Sequence, residues 1–264
     1  MGIKVKDIRY AMNKIAPEIL KEGFDNVGLM VGDEEQDVNK VLLALDCTNK
    51  VIEEAKENKC DMIITHHPLI FRKPNRIVKN DLLGNKIIEL IKNDISLYSS
   101  HTNLDSVENG INHTIVKILG FNFSEIIEKN NTQGFKDAGL GRIVRLEKEL
   151  SIKEVVDLVK KKLNIEHLRI VEGKDNIKNI AIINGSGQDF IKEAVKRGAN
   201  CIITGDTTYH FASDYKELGI TIIDAGHFNT EWLVFLETMK TLKESFKDIE
   251  FIDSKVSSDP YTFI

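Results

Sequence analysis

The chain has 264 residues, of which 42% are hydrophobic and 29% charged, with a formal net charge of −5 at pH 7. This length fits one large domain or two modest ones, and the composition is that of a soluble globular protein. The negative charge argues against a broad nucleic-acid surface, and no apolar run is long enough to span a membrane. No signal pattern opens the chain, so we expect a cytoplasmic protein.

The cysteine content argues against both disulfides and a thiolate metal site. The three cysteines form an odd count without C-x-x-C spacing, and they are Cys47, Cys60 and Cys201. Each lies in or beside an apolar, strand-like run. We therefore expect three buried free thiols in a reducing compartment.

The first half of the chain alternates between helical and strand-like patterns of apolar residues. We predict helices over 6–16, 49–58, 86–93 and 110–120, and strands within 25–32 and over 40–46, 60–65 and 95–99. The strand, helix and strand within 40–65 form a right-handed parallel βαβ unit.

The second half begins after a polar stretch, 124–138, which predicts a boundary between two lobes. Beyond it we predict strands over 140–146, 166–172 and 178–183, and helices over 151–163 and 231–246. We expect a single unit over 1–264 with two lobes, one over about 1–125 plus a C-terminal helix over about 230–264, the other over about 126–229.

From residue 180 the chain resembles its own first half. Residues 51–65 align with 190–204 at an offset of 139, and residues 95–105 align with 221–231 at an offset of 126. The repeat predicts two related α/β lobes. Chance similarity between two ordinary βαβ units is the alternative.

Two adjacent histidines, His66 and His67, end the strand over 60–65, and Pro68 stops the ladder directly after them. The carboxyl ends of strands in open α/β sheets are where binding sites form. Neighbouring side chains that leave a strand point in different directions, so the pair would serve two points, which suggests two metal ions. Loop histidines without a role are the alternative.

The two aligned later strands both deliver His-x-x-x-acid with a central asparagine, as His101 to Asp105 and as His227 to Glu231. Imidazole together with carboxylate suits zinc, iron, manganese, cobalt or nickel, and a bridging carboxylate can hold two cations about 3.5–4 Å apart. Taken singly, either acid could cap a helix and His227 could be a turn residue. Capping does not explain two copies beside a histidine pair.

Two further features have open interpretations. His210 follows Gly205 and Asp206, which replace the two histidines of the first copy, and it could contact substrate, transfer protons or be structural. The turn 185–187 (Gly-Ser-Gly) between a strand and a helix could hold a phosphate, although a plain tight turn is favoured.

Five motifs in this order resemble the NIF-three-like family, whose members are commonly labelled GTP cyclohydrolase 1 type 2 homologs. They are DNVGLMVG (25–32), IITHHPLIF (63–71), HTNLD (101–105), TGDTTYH (204–210) and DAGHFNTE (224–231). The resemblance spans essentially the full chain. One departure is Phe24, where many relatives have tryptophan.

The resemblance implies two interlinked, internally related α/β lobes, a dinuclear metal site between them, and a homohexameric toroid built as a trimer of dimers. Carried over motif by motif, one divalent ion would be held by His66 and Asp105, the other by His67 and His227, with Glu231 bridging both. The ions would be zinc, iron or manganese.

The family label implies hydrolytic opening of the guanine imidazole ring of GTP, which releases formate and gives dihydroneopterin triphosphate. His101 would lie beside the metal site, and either His101 or His210 could move protons. We therefore expect a small-molecule nucleotide as partner, without nucleic acid or membrane. Two alternatives stay open: a two-metal phosphoesterase, or a metal-handling or regulatory binding protein without turnover.

Overall fold

The computed structural model describes residues 2–264 and contains ten α-helices and eleven strands within that range. The helices are α1 (Val5–Ile15), α2 (Asn49–Glu57), α3 (Leu82–Lys92), α4 (Thr102–Ser106), α5 (Ile111–Ile118), α6 (Ile152–Leu163), α7 (Ile191–Lys196), α8 (Tyr209–Glu217), α9 (His227–Thr238) and α10 (Lys240–Ser245). The strands are β1 (Gly28–Val31), β2 (Lys40–Ala44), β3 (Met62–Thr65), β4 (Ser96–Ser99), β5 (Glu125–Lys129), β6 (Gly139–Leu150), β7 (Arg169–Val171), β8 (Ile177–Ser186), β9 (Cys201–Gly205), β10 (Thr221–Asp224) and β11 (Glu250–Asp253). None of the helices within 2–264 has the length and hydropathy that crossing a membrane requires.

The chain divides into two compact units, each with its own sheet. The first unit comprises the residues up to Leu104 together with Met239–Ser258, and the second comprises Asp105–Thr238 together with Asp259–Ile264. These boundaries differ from those expected near 125 and 230. The reason is packing, because α5 lies against β6, β8 and α9 and so belongs to the second unit.

The first unit is built on a five-stranded sheet with the order β1-β4-β3-β2-β11. β4, β3, β2 and β11 run parallel, and β1 adds antiparallel at one edge. The central strand β3 is buried along its whole length, as its unbroken apolar sequence predicts. Ile63 of β3 packs in one apolar cluster with Val51 of α2 and Ile87 of α3, which places helices against the sheet.

The second unit is built on a six-stranded sheet with the order β5-β6-β8-β9-β10-β7. β8, β9 and β10 are parallel, whereas β5, β6 and β7 join antiparallel. Ile202 of β9 shares an apolar cluster with Ala181 of β8 and with Ile191 and Ala194 of α7. This arrangement repeats the strand–helix–strand core of the first unit.

Strand register shows how closely the two cores match. Val41 pairs with Met62 in the first sheet, and Ile180 pairs with Cys201 in the second, so both strands are displaced by the same 139 residues. The aligned sequences of the first and second halves therefore correspond to equivalent strand pairs.

The repeat differs by one residue just before the second histidine motif. Thr65 pairs with Ser99 in the first sheet, and Thr204 pairs with Asp224 in the second. His101 follows two residues after Ser99, whereas His227 follows three residues after Asp224. The second copy thus has one additional residue between its strand and its histidine.

Three elements differ from the prediction. The polar stretch 124–138 contains the edge strand β5, of which only Ile127 is fully buried, so an apolar pattern is missing there. The helix expected over 86–93 begins at Leu82. The helix expected over 231–246 is two helices, α9 and α10, of which α9 starts at His227.

The cysteines are buried free thiols, as expected for Cys47, Cys60 and Cys201. Burial raises the pKa of all three, to about 12 for Cys47 and about 11 for Cys60. Thiolates are therefore scarce at neutral pH, which agrees with a metal site built without sulfur.

Candidate metal centre

Three imidazoles gather in the first unit at the carboxyl ends of two neighbouring strands. His66 and His67 follow β3, and His101 follows β4, which pairs with β3 in parallel. One ligand atom of each histidine lies within 4.8 Å of those of the other two. The ring centroids are 5.2 Å apart for His66 with either neighbour, and 5.6 Å apart for His67 and His101. This group alone could hold a metal ion.

The adjacent histidines are each fixed through Nδ1. His66 Nδ1 lies 2.8 Å from the backbone oxygen of Ser100, and His67 Nδ1 lies 2.8 Å from Asp46 Oδ1. A carbonyl oxygen only accepts, so His66 carries its proton on Nδ1, and the carboxylate favours the same tautomer for His67. The lone pair that a metal ion needs is then on Nε2 of both rings.

His101 is held in the same way by a buried carboxylate. Its Nδ1 lies 2.9 Å from Asp25 Oδ1, and Asp25 also accepts hydrogen bonds from the backbone and hydroxyl of Thr102, at 3.1 and 2.5 Å. Burial opposes ionisation of Asp25, but the hydrogen bonds from His101 and Thr102 outweigh it and lower the pKa to about 2. Asp25 is therefore an anion at neutral pH that fixes the His101 ring.

The second unit supplies two buried carboxylates, Asp105 and Glu231, which are 7% and 3% exposed. Asn184, near the carboxyl end of β8, donates through Nδ2 to Asp105 Oδ1 at 3.0 Å and to Glu231 Oε1 at 2.8 Å. One amide group therefore orients both acids. Asp105 and Glu231 are brought together as the spacing of the two motifs predicts, through a residue that the motifs do not contain.

His227 lies between two carboxylates. Its Nδ1 is 2.8 Å from Asp206 Oδ2, and its Nε2 is 3.0 Å from Glu231 Oε2, one turn along α9. A neutral imidazole can donate to only one of these acids, so the pair of contacts favours either an imidazolium or a cation bound by Nε2 and Glu231. The donor set of imidazole and carboxylate fits a divalent transition metal.

Two glycines permit the close approach of backbone to these side chains. A Cβ atom on Gly185, whose φ is +54°, would lie 2.2 Å from Glu231 Oε1 and 3.1 Å from His227 Nε2. A Cβ atom on Gly205 would lie 2.6 Å from the backbone nitrogen of His227. The space around these ligand atoms thus depends on glycine at both strand ends.

The remaining predicted features lie outside the candidate ligand groups of residues 2–264. His210 is exposed in the first turn of α8, where its ring meets that of Tyr209 edge-on at 5.5 Å. In the turn 185–187, the Gly185 amide donates to Thr230 Oγ1 at 3.0 Å and the Gly187 amide to Thr204 Oγ1 at 3.2 Å. Both amides are engaged, so the tight-turn interpretation is favoured over a phosphate site.

Motif reasoning missed three residues that orient ligands, namely Asp46, Asn184 and Asp206. Each is a single polar residue near the end of an inner strand or directly after it. The internal repeat could have pointed to one of these three residues. Asp206 aligns with His67 at the offset of 139, so it lies at the strand end of the second copy that is equivalent to the strand end carrying His67.

Replacement of Asn184 by alanine tests the shared amide. We expect Asn184→Ala to weaken binding of zinc or manganese about 10–100-fold, since both acids lose their common donor. Titration against a chromophoric chelator measures the affinity. Asn179→Ala is the control, because Asn179 lies on the same strand but donates to Gly198. Unchanged affinity in Asn184→Ala would contradict the role.

Replacement of Gly185 by alanine tests the space beside Glu231. Gly185→Ala should lower metal affinity at least tenfold and cost about 1–3 kcal/mol of unfolding free energy. Gly120→Ala is the matched control, since Gly120 also has positive φ but nothing lies within 4 Å of its Cβ position. Equal metal affinities of the two variants in the same titration would show that steric crowding at Glu231 does not matter.

The comparisons with known proteins agree with this architecture. The model of the family described as Duf34/NIF3 (NGG1p interacting factor 3) matches residues 3–260. A Clostridium perfringens protein named GTP cyclohydrolase 1 type 2 homolog is 55% identical, covering 99% of this chain and 100% of its own. A Clostridium acetobutylicum protein of the same name is 51% identical, with both chains covered completely. The crystal structure of Staphylococcus aureus protein SA1388 superposes with a TM-score of 0.89 at 32% identity, covering 100% of both chains. With its two α/β units and its histidine and carboxylate motifs in order, the chain belongs to the Duf34/NIF3 family.

Proposed function

We propose that this chain is a dinuclear-metal-dependent hydrolase resembling GTP cyclohydrolase 1 type 2. One observation carries the proposal: His66, His67 and His227 are each held through Nδ1 by a fixed acceptor, which leaves Nε2 as the ligand atom. The name shared by the two clostridial relatives supports this reaction class.

The proposed ligands are those implied by the motifs. His66 with Asp105 would hold one divalent ion, His67 with His227 the other, and the Glu231 carboxylate would serve both. When bound, two such ions would polarise the guanine ring and activate a water molecule for attack. Zinc, iron and manganese all suit this donor set. The homohexamer implied by the family resemblance is likewise a proposal.

His101 has the geometry of a proton carrier. Asp25 accepts the hydrogen bond from His101 Nδ1 and stays ionised, so His101 Nε2 can take a proton while the carboxylate stabilises the imidazolium. We assign proton transfer during ring opening to His101 Nε2. His210, which is exposed on α8, has no comparable partner among the described residues, and we give it no step.

Removal of the proposed shared carboxylate tests the reaction. Wild-type protein loaded with zinc, iron(II) or manganese should release formate from GTP and form a fluorescent pterin precursor. Glu231→Gln should reduce this turnover at least 100-fold with an unchanged circular dichroism spectrum, because the shared ligand is lost. Glu237→Gln is the control, on an exposed position of the same helix.

Failure to release formate with every metal would overturn the proposal. Phosphate release without formate would identify the phosphoesterase instead. Transfer of bound metal to an apo-protein without any turnover would identify the metal-handling function.

A separate variant tests the role of His101. We expect His101→Gln to lower kcat for formate release about 10²–10⁴-fold while the bound metal content stays at the wild-type value, since the residue moves a proton. Elemental analysis of the purified protein measures the metal. His167→Gln, at an exposed histidine, is the control. A parallel loss of metal in His101→Gln would make His101 a ligand and contradict the proton-transfer role.

A further inference from the structure

The loop that follows the histidine pair contains a cationic cavity. Its volume is about 480 Å³, within the range of small-molecule sites. Three of the seven lining residues are cations, and one is an acid. They are Arg72, Lys73, Pro74, Asn75, Arg76, Asp81 and Leu83.

The three cations have no acidic partner in the part of the chain that the structure describes. Arg72, Lys73 and Arg76 are exposed, and none forms an ion pair with any of residues 2–264. Other arginines of the chain do, as the partly buried Arg9 pairs with Glu18 and the exposed Arg145 with Glu125. Three like charges around one cavity repel one another, and a bound polyanion would relieve that repulsion.

Two exposed aromatic rings meet near the start of the same loop, Phe71 within it and Phe24 from the turn before β1. Phe24 is 66% exposed and Phe71 43%, and their ring centroids are 6.3 Å apart. Phe71 also meets His101 edge-on, at 6.4 Å and 81°. Exposed aromatic pairs beside a candidate site provide a stacking surface for planar ligands. Phe71 directly precedes Arg72, so the stacking surface and the cationic cavity are adjacent along the loop.

The loop is fixed at the end nearest the histidines. Asn26 Nδ2 donates to the backbone oxygen of Ile70 at 2.6 Å, and Thr65 Oγ1 donates to the backbone oxygen of His67 at 2.8 Å. Asn26 and Phe24 flank Asp25, the partner of His101. The turn that orients His101 therefore also anchors the loop that carries Phe71.

We propose that the segment 71–76 binds the nucleotide substrate, with the base on Phe24 and Phe71 beside His101 and the phosphate chain in the cavity of Arg72, Lys73 and Arg76. Guanidinium groups match phosphate oxygens with two parallel hydrogen bonds, and every base has a face that stacks on an aromatic ring. This inference rests on the proposed function for the choice of a nucleotide. The net charge of −5 favours a free nucleotide over a nucleic-acid strand.

The test measures binding and needs no turnover. Isothermal titration calorimetry of the full chain, with its bound metal, compares 7-deaza-GTP, an analogue whose five-membered ring cannot be opened by hydrolysis, with inorganic triphosphate and guanosine. The double variant Arg72→Ala/Arg76→Ala should bind the analogue and triphosphate at least 20-fold more weakly and guanosine within twofold of wild type. Phe71→Ala should lower the affinity for the analogue and for guanosine at least fivefold and leave the affinity for triphosphate unchanged. Lys79→Ala, in the same loop but outside the cavity lining, should change nothing.

The outcomes separate this proposal from the proposed function. Wild-type affinity of the double variant for triphosphate would overturn the phosphate site, even if the protein releases formate from GTP. If the double variant binds triphosphate as weakly as expected and the wild-type protein turns over no substrate, the phosphate site is supported and the proposed hydrolase function is overturned. Tighter binding of a single-stranded oligonucleotide than of the analogue would replace the nucleotide site with a nucleic-acid surface.

Discussion

The hydrogen bond at Nδ1 is the constraint on which the candidate centre depends. His66 donates to a backbone oxygen, whereas the other three rings each face an aspartate carboxylate. Such a bond sets the ring orientation and the tautomer together, so Nε2 is the one atom left to act as ligand or base. Three acceptors follow inner strands, on Ser100, Asp46 and Asp206, and the fourth, Asp25, precedes the edge strand β1. The sheets therefore fix the orientation of the histidine rings through these acceptors.

The inner strands were predictable because burial dictates their composition. β3 reads Met-Ile-Ile-Thr and is covered on both faces, so an unbroken apolar run identifies it without knowledge of its neighbours. The edge strand β5 could not be found in this way. Ile127 is its one buried residue, and β5 is recognised as a strand through its pairing with β6. The unit boundary near residue 104 has a similar origin, because α5 is amphipathic and only packing selects which sheet it covers.

The candidate ligand residues could be proposed from the sequence, whereas the residues that orient them could not. Histidines and acids at fixed spacing are rare enough to stand out, which is why the two His-x-x-x-acid copies could be aligned. Asp46 and Asn184 look like ordinary turn residues, and only the folded chain shows that Asp46 contacts His67 and that Asn184 contacts two acids. His210 belongs to a motif but lies exposed on α8, outside the candidate ligand groups of residues 2–264, and its role stays a prediction.

The placement of β11 has a consequence for the order in which the two units fold during synthesis. The six strands of the second unit come from the continuous segment 125–224, so that sheet can close as soon as this segment has been made. The first sheet can be completed only after the C-terminal residues have been synthesised, because β11 pairs with β2. Ser254 and Lys255 then donate hydrogen bonds to Glu54 of α2. β2 leads directly to Asp46, the partner of His67. The support of His67 by Asp46 is therefore complete only when residues beyond 250 have joined the sheet.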